Sequence, residues 1–206
     1  MIRLARALTR LETDLKALGL RWAAIGGLAV AARAEPRTTR DLDVAIAVSG
    51  DREAEKIVLA MRSRGYFEVP NKAVMEQKDV GRLATVRLLV PGEEREEGDE
   101  FDGLVVDLMF ASSGVEPEIV RSAEVMQVMP RVAVPVVRSG HLYALKILAG
   151  RPKDQEDCQS LRRRMKPEDY DEARATLKLI AERGFHRGKN LIAEFERSLA
   201  ATEDFS

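Results

Sequence analysis

The sequence is poor in the residue types that build several common functional sites. Its 206 residues include one cysteine, Cys158, and two histidines, His141 and His186. A single cysteine excludes a disulfide within the chain, and these three residues are too few for the nitrogen and sulfur ligand sets that usually bind zinc. A metal ion bound by this chain would therefore have to be held by oxygen atoms.

Net charge and long apolar runs are also lacking. The chain has 33 basic and 34 acidic residues, a net charge of −1, so bulk electrostatic attraction to nucleic acid or to a membrane is not expected. No apolar run approaches the length of a transmembrane helix, and Arg3, Arg6 and Arg10 interrupt the apolar pattern at the N-terminus. We therefore expect a cytoplasmic protein without a membrane partner, in which any site for a polyanion is local.

Apolar periodicity divides the chain into a mixed first part and a helical second part. Leucines at helical spacing predict an N-terminal helix, and these are Leu4, Leu8, Leu11, Leu15 and Leu18. Short apolar runs predict strands at 22–25, 42–48, 83–90, 104–110 and 132–137. Helices are predicted at 28–32 and 51–64, the latter with Asp51 as N-cap, and then at 139–148, 155–164, 167–183 and 188–201. We place a domain boundary between residues 137 and 138.

Charge is distributed unevenly along these parts. Residues 92–107 contain eight acidic residues and one basic residue, whereas residues 138–166 contain eight basic and three acidic residues. Within the acidic stretch, residues 91–103 are predicted to form a solvated hairpin loop. The near-neutral total therefore conceals a local charge separation.

The pattern with most chemical meaning is Gly26-Gly27, thirteen intervening residues, and then Asp41-Leu42-Asp43. On a strand, Asp41 and Asp43 point to the same face with Cα atoms roughly 6–7 Å apart. Two carboxylates this close repel each other unless a cation lies between them, and Mg²⁺ suits such a site. The glycine pair permits the close approach of a phosphate to a helix N-terminus, although an ordinary turn is the alternative.

Asp107 is a third acid of interest because it lies in an apolar strand. A lone carboxylate there would be costly to desolvate unless it were compensated. With two metal ions, Asp41 and Asp43 could bridge both while Asp107 served the ion that activates an attacking hydroxyl. The alternative for the first two acids is a solvated position at the start of a strand.

This ordered set resembles the signature of the polymerase β-like nucleotidyltransferase superfamily. More narrowly, residues 37–43 (Arg-Thr-Thr-Arg-Asp-Leu-Asp) resemble a motif of the AbiEii-like nucleotidyltransferases, the toxins of type IV toxin–antitoxin and abortive-infection systems. Residues 146–157 resemble the same family's Lys-x-x-Ala, Arg and Lys-Asp-x-x-Asp segment. The resemblance implies an α+β fold, with a small mixed-sheet core at 1–137 flanked by helices and a helical C-terminal domain at 138–206 that completes the cleft.

The resemblance also implies a role for each matched residue. The catalytic and metal-binding acids would be Asp41, Asp43 and Asp107, with Mg²⁺ or Mn²⁺ as the ion. The nucleotide would be bound by Gly26, Gly27, Arg37, Thr39 and Lys146. The residues that would contact the acceptor, or position other groups, are Arg151, Lys153, Asp154 and Asp157.

The implied reaction moves a nucleoside monophosphate from an NTP to an acceptor hydroxyl, in RNA such as the 3′ end of tRNA, in a toxin with a cognate antitoxin partner. Three other functions stay open: a protein-modifying (AMPylating) antitoxin, a non-catalytic nucleotide-binding interaction module, and a small-molecule nucleotidyltransferase of the aminoglycoside type. For some of these residues a purely structural role also stays open. Lys146 can be a snorkelling helix lysine, and Asp154 and Asp157 can make local ion pairs with Arg151 or Lys153.

Overall fold

The computed structural model describes residues 2–36, 39, 41–69, 74–77, 82–91 and 104–200. The elements up to residue 137 are α1 (Ile2–Ala17), β1 (Trp22–Ala24), α2 (Gly26–Arg33), β2 (Leu42–Ile46), α3 (Asp51–Arg62), β3 (Phe67–Glu68), β4 (Val74–Gln77), β5 (Arg82–Leu89), β6 (Val105–Met109), α4 (Glu116–Ser122), β7 (Glu124–Met129) and β8 (Val132–Val136). Four helices follow: α5 (Ser139–Ala149), α6 (Pro152–Arg162), α7 (Pro167–Glu182) and α8 (Leu191–Ala200). None of the helices in these ranges is long and apolar enough to cross a membrane.

One mixed sheet runs through the first part of the chain. Its strands follow the order β3-β5-β6-β2-β1-β8-β7, and β4 pairs with β5. The β1–β8 and β2–β6 pairs are parallel, whereas the other pairs are antiparallel. The prediction of an α+β fold with a mixed sheet, flanking helices and a helical C-terminal portion is confirmed.

The sheet register brings three charged residues into one row. Arg87 of β5 is the direct partner of Asp107 of β6, and Asp107 is the direct partner of Asp43 of β2. Directly paired residues on neighbouring strands point to the same face of a sheet. These residues are far apart in the sequence, so only the strand pairing makes them neighbours.

The predicted leucine stripe of α1 packs into the core of the chain. Leu8, Leu11 and Leu15 are fully buried, and Leu4 and Leu18 are partly buried against the same core. The stripe therefore covers apolar surface within a single chain, as expected for an amphipathic helix.

Helix α5 is the central element of the C-terminal part. It is buried on almost every side, as is typical of a helix that is hydrophobic all round, and it packs against α6, α7 and α8. It also contacts α2 from the first part. The proposed domain boundary falls between β8 and α5, and the division into two domains stays a prediction.

Several predicted boundaries were wrong in detail. Gly26 and Gly27 do not precede α2 but form its first turn. Asp51 is the first residue of α3, and Gly50 holds the N-cap position; an acid in the first turn is favoured by the helix dipole. Pro152 begins α6, three residues before the predicted start, because proline is well tolerated at the first helical position.

The sequence patterns did not predict β3, β4, α4 and β7. Strand β3 has only two residues. Helix α4 contains Pro117 in its first turn, where proline is tolerated because a backbone N–H there would have no partner within the helix. Strand β7 lies at the edge of the sheet and is largely exposed, so it lacks a clear apolar face. The predicted hairpin loop lies outside the described residues, except for Pro91.

Candidate active site

The sequence-predicted residues meet in one cavity of about 1030 Å³ between the sheet and the C-terminal helices. Strands β2, β5 and β6 form one wall, and α5 with the start of α6 forms the other. The predicted residues that line it are Gly26, Gly27, Thr39, Asp41, Asp43, Asp107, Lys146, Arg151, Lys153 and Asp154. Asp157 contacts Lys146 behind this lining, and Arg37 lies outside the described residues.

The diglycine turn and the Asp-x-Asp motif are in direct contact. Gly26 has a left-handed backbone with φ of +60°, and a Cβ at this position would overlap the Asp43 carboxylate. The backbone N–H of Gly27 donates a hydrogen bond to the same carboxylate, and the backbone N–H of Ile25 donates to the Asp43 carbonyl at 2.9 Å. Glycine at position 26 is therefore required by Asp43 itself, while the predicted contact with a phosphate stays a prediction.

Asp43 experiences strong electrostatic crowding. Burial, together with the negative charges of Asp107 and Asp41, raises the pKa of Asp43 to about 6, against the opposing effects of Lys146 and the Gly27 N–H. A carboxylate resists ionisation when other carboxylates share its surroundings. An added cation would relieve this repulsion.

Asp107 has a partner that the sequence analysis missed. The buried Asp107 carboxylate accepts two hydrogen bonds from Arg87, from Nε to Oδ1 at 2.7 Å and from Nη2 to Oδ2 at 2.6 Å. This bidentate geometry is the strongest form of arginine–carboxylate pairing. The signal that could have revealed it is an arginine at position 87 between the apolar residues Val86 and Leu88 of a strand.

Lys146 is buried on α5 between two acids of α6. Its Nζ lies 3.0 Å from Asp154 Oδ1 and 2.8 Å from Asp157 Oδ2. Lys146 also lowers the pKa of Asp43 through its charge, so it lies within electrostatic reach of the strand wall. Asp154 and Asp157 therefore both contact Lys146, while a role for them in positioning Lys146 or Lys153 stays a prediction.

The Asp154 carboxylate accepts hydrogen bonds from several donors. In addition to Lys146, it accepts hydrogen bonds from Arg151 Nε at 2.7 Å and from the Arg151 backbone N–H at 3.1 Å. Burial raises the pKa of Asp154, but the hydrogen bonds from Arg151 and Lys146 outweigh burial and leave the pKa below its ordinary value. The local ion pair between Asp154 and Arg151, which was the purely structural alternative for Asp154, is therefore present as well.

The rim of the cavity carries further cations. Arg151 and Lys153 are exposed near the start of α6, and Arg187 joins them from the loop between α7 and α8. Arg187 has a left-handed backbone and donates from Nη2 to the Ser112 carbonyl at 2.9 Å. Sequence reasoning missed Arg187, because no local pattern marks a loop residue that reaches the cavity only through tertiary packing.

The carboxylates fit a divalent metal ion in donor type and in charge. Asp41, Asp43 and Asp107 all line the cavity and offer the oxygen ligands that Mg²⁺ and Mn²⁺ prefer. In the part of the chain that is described, however, no three acidic, histidine or cysteine side chains are already gathered as a metal site. Asp107 is engaged by Arg87, so these residues have the chemistry of a metal site without its final arrangement.

Comparison with known proteins gives only distant similarity. No protein-family model and no curated protein matches the chain. One similar solved structure is an antigenic nucleotidyltransferase-like protein from Paracoccidioides brasiliensis, with 14% identity, a TM-score of 0.49, and coverage of 99% of this chain and 90% of that one. Another is the antibiotic-resistance factor ANT(2'')-Ia, with 15% identity, a TM-score of 0.45, and coverage of 98% and 95%. The function of this chain has to be inferred from its own site.

Proposed function

We propose that this protein is a metal-dependent nucleotidyltransferase that moves a nucleoside monophosphate from an NTP to an acceptor hydroxyl. In this reaction the acceptor oxygen bonds to the α-phosphorus, the bond between the α-phosphorus and the bridging oxygen breaks, and pyrophosphate leaves. The observation that best supports the proposal is the convergence of Asp43, Asp107, the diglycine turn and Lys146 on one cavity. Four separate elements supply these groups, so neither a local turn nor a local ion pair accounts for the arrangement.

In the proposed enzyme, the strand wall holds the metal ion and the diglycine turn leaves room for phosphates. Asp41, Asp43 and Asp107 are the proposed ligands of Mg²⁺ or Mn²⁺, and such an ion would neutralise the triphosphate and lower the pKa of the acceptor hydroxyl. Gly26 and Gly27, together with Arg37 and Thr39, are the proposed nucleotide contacts. Their backbone can approach a phosphate closely because no side chain projects from the glycines.

Lys146 has a role set by its two acidic partners. Because Asp154 and Asp157 already share its ammonium group, we assign it two tasks: fixing α6 against α5 and keeping Asp43 ionised. A contact between Lys146 and the triphosphate remains part of the proposal.

The cationic rim favours an acceptor that carries phosphate groups. Arg151, Lys153 and Arg187 would attract an RNA backbone, whereas a polycationic aminoglycoside would be repelled by the same charges. We therefore propose an RNA acceptor such as the tRNA 3′ end, which would place the reaction in the cytoplasm. By its motifs the protein would be an AbiEii-like toxin with a cognate antitoxin.

Calorimetric titration of an NTP analogue that cannot be hydrolysed tests nucleotide binding. Binding should require Mg²⁺ and should disappear in the double variant Asp41→Ala with Asp43→Ala. The exposed Asp171 of α7 provides a matched control, because Asp171→Ala removes an acid that does not line the cavity. Binding that survives the double variant would contradict the proposal.

A labelling experiment tests the acceptor. The protein is incubated with labelled NTPs and either total RNA or an RNA-free protein extract, and the products are separated on gels. Label on RNA, reduced in Arg187→Glu, is the expected result. Label found only on protein would instead support the protein-modifying alternative, and no label in either sample would favour the non-catalytic module.

A further inference from the structure

Arg87 is a charged residue that lines the cavity and has no part in the proposed reaction. Its guanidinium holds both oxygens of Asp107 at 2.7 and 2.6 Å. Asp107 is 6% exposed, so this carboxylate has exchanged water for one partner. A buried carboxylate paired in this way is strongly held.

The charge of Arg87 compensates more than Asp107 alone. Hydrogen bonding to Asp107 raises the pKa of the Arg87 guanidinium, and the negative charges of Asp107, Asp41 and Asp43 raise it further. Arg87 therefore lies in the field of all three acids. The buried Lys146, by contrast, is shared with Asp154 and Asp157 on the opposite wall.

A divalent ion would need the same carboxylate that Arg87 holds. The described residues contain no ready-made group of three metal-binding side chains, and both oxygens of the Asp107 carboxylate are paired with Arg87. The Arg87 side chain is 31% exposed and borders the cavity, so it can leave Asp107 without entering the core.

We propose that Arg87 is an internal counter-ion that occupies Asp107 in the metal-free protein and gives up this bidentate pairing when a divalent cation binds. The inference rests on the proposed function, since it takes Asp107 as a metal ligand. Its consequence is a trade between stability and metal affinity. Arg87 stabilises the metal-free fold, and the same contact weakens cation binding.

Two measurements on the full-length protein test this inference without any nucleotide. Thermal unfolding is followed in EDTA and in excess Mn²⁺, and Mn²⁺ binding is measured from the loss of the free-ion signal in electron paramagnetic resonance. The variants are Arg87→Gln, which removes the charge, and Arg87→Lys, which keeps the charge without the two-pronged geometry. Arg183→Gln is the matched control, because Arg183 makes a bidentate pair with Glu118 at 2.8 and 3.0 Å between α7 and α4.

Arg87→Gln should unfold at a temperature lower by on the order of 5–10 °C in EDTA, because Asp107 loses its buried partner. Excess Mn²⁺ should restore most of this loss, and the variant should bind Mn²⁺ about tenfold more tightly than the wild type. Arg87→Lys should lie between the two. Arg183→Gln should lose the same stability with and without Mn²⁺ and should bind the ion as the wild type does.

The two possible failures differ from each other. If the wild type binds Mn²⁺ but Arg87→Gln binds it equally or more weakly, Arg87 merely supports the strand wall, and the counter-ion proposal is overturned while the proposed function stands. If neither the wild type nor Arg87→Gln binds Mn²⁺, the metal-dependent function and the inference drawn from it both fall.

Discussion

On the strand wall of the cavity three carboxylates share one guanidinium, whereas the ion-pair cluster of the helical wall has two carboxylates and two cations. Asp41, Asp43 and Asp107 share Arg87, but Lys146 and Arg151 match Asp154 and Asp157 in number. The charges within this ion-pair cluster therefore balance, while the strand wall keeps an excess of negative charge. That excess marks the strand wall as the place for an added cation and the helical wall as a support.

The largest expected effect follows from removing charge from the strand wall. Asp43→Asn should lower the rate of nucleotide transfer by about 10³-fold, the scale seen when a charge-stabilising group is lost. Stability in EDTA should stay the same or rise, because burial and repulsion, which raise the pKa of Asp43, both disfavour the charge that the variant removes. Transfer assays and urea unfolding measure the two quantities. A variant that loses several kcal/mol in EDTA would show that this wall has no excess of charge.

On the helical wall, by contrast, removing a charge should mainly lower the free energy of unfolding. Lys146→Met leaves Asp154 and Asp157 buried without their shared cation, which should lower the free energy of unfolding by about 3–5 kcal/mol. Replacing both acids by asparagine in the same chain should recover part of this loss. Arg151→Gln is the comparison, because the Arg151 side chain is 71% exposed and should contribute less than about 1 kcal/mol. Equal losses in the two single variants, measured by urea unfolding, would remove the distinction between buried support and surface pair.

The close approach of Gly26 to Asp43 gives a third, smaller effect. Gly26→Ala and Gly19→Ala both place a side chain on a left-handed backbone, with φ of +60° and +66°, and each should lose about 1–2 kcal/mol from strain. Only at position 26 does the new Cβ meet Asp43, since nothing lies near a Cβ at position 19. We therefore expect an additional loss of stability and of Mg²⁺-dependent NTP binding in Gly26→Ala alone. Identical behaviour of the two variants would mean that Gly26 is an ordinary turn residue.

The smallest effect concerns pH and tests whether the helical support titrates. Burial lowers the pKa of His141 on α5 below 6.5, and Arg138 lowers it further, against the opposing charge of Glu172. The unfolded chain then binds more protons than the folded chain just below pH 6.5, so His141 lowers stability as the pH falls through that range. His141→Asn should keep a partner for Thr176, which lies 2.8 Å from His141 Nδ1, and should flatten this dependence. Urea unfolding at pH 5 and at pH 7 gives the change in the free energy of unfolding with pH for each protein. The wild type and His141→Asn should differ in this change by less than the loss expected for Gly19→Ala.

Local rules were sufficient for a good part of the fold and the site. The leucine spacing of α1 and the apolar runs of β2, β5 and β6 predicted elements that the structure contains, because each depends on a periodicity within a few residues. The positions of Asp43 on a strand and of Lys146 on a helix were accessible in the same way, whereas Asp41, predicted on the same strand, lies one residue before β2. Strands β3 and β7 were not, because a two-residue strand and an exposed edge strand leave little apolar pattern.

The sequence by itself determined the chemistry that this protein can offer: oxygen ligands in place of sulfur and nitrogen, an acid pair at the start of a strand, glycines at a turn, and a lysine spaced to meet two acids. Only the tertiary structure decided which charges are neighbours. Arg87 lies 20 residues from Asp107 and 44 from Asp43 along the chain, and Arg187 comes from a different part altogether. Strand register and loop packing are set by the burial of the whole core, so the excess charge of the strand wall became visible only when the sheet was formed.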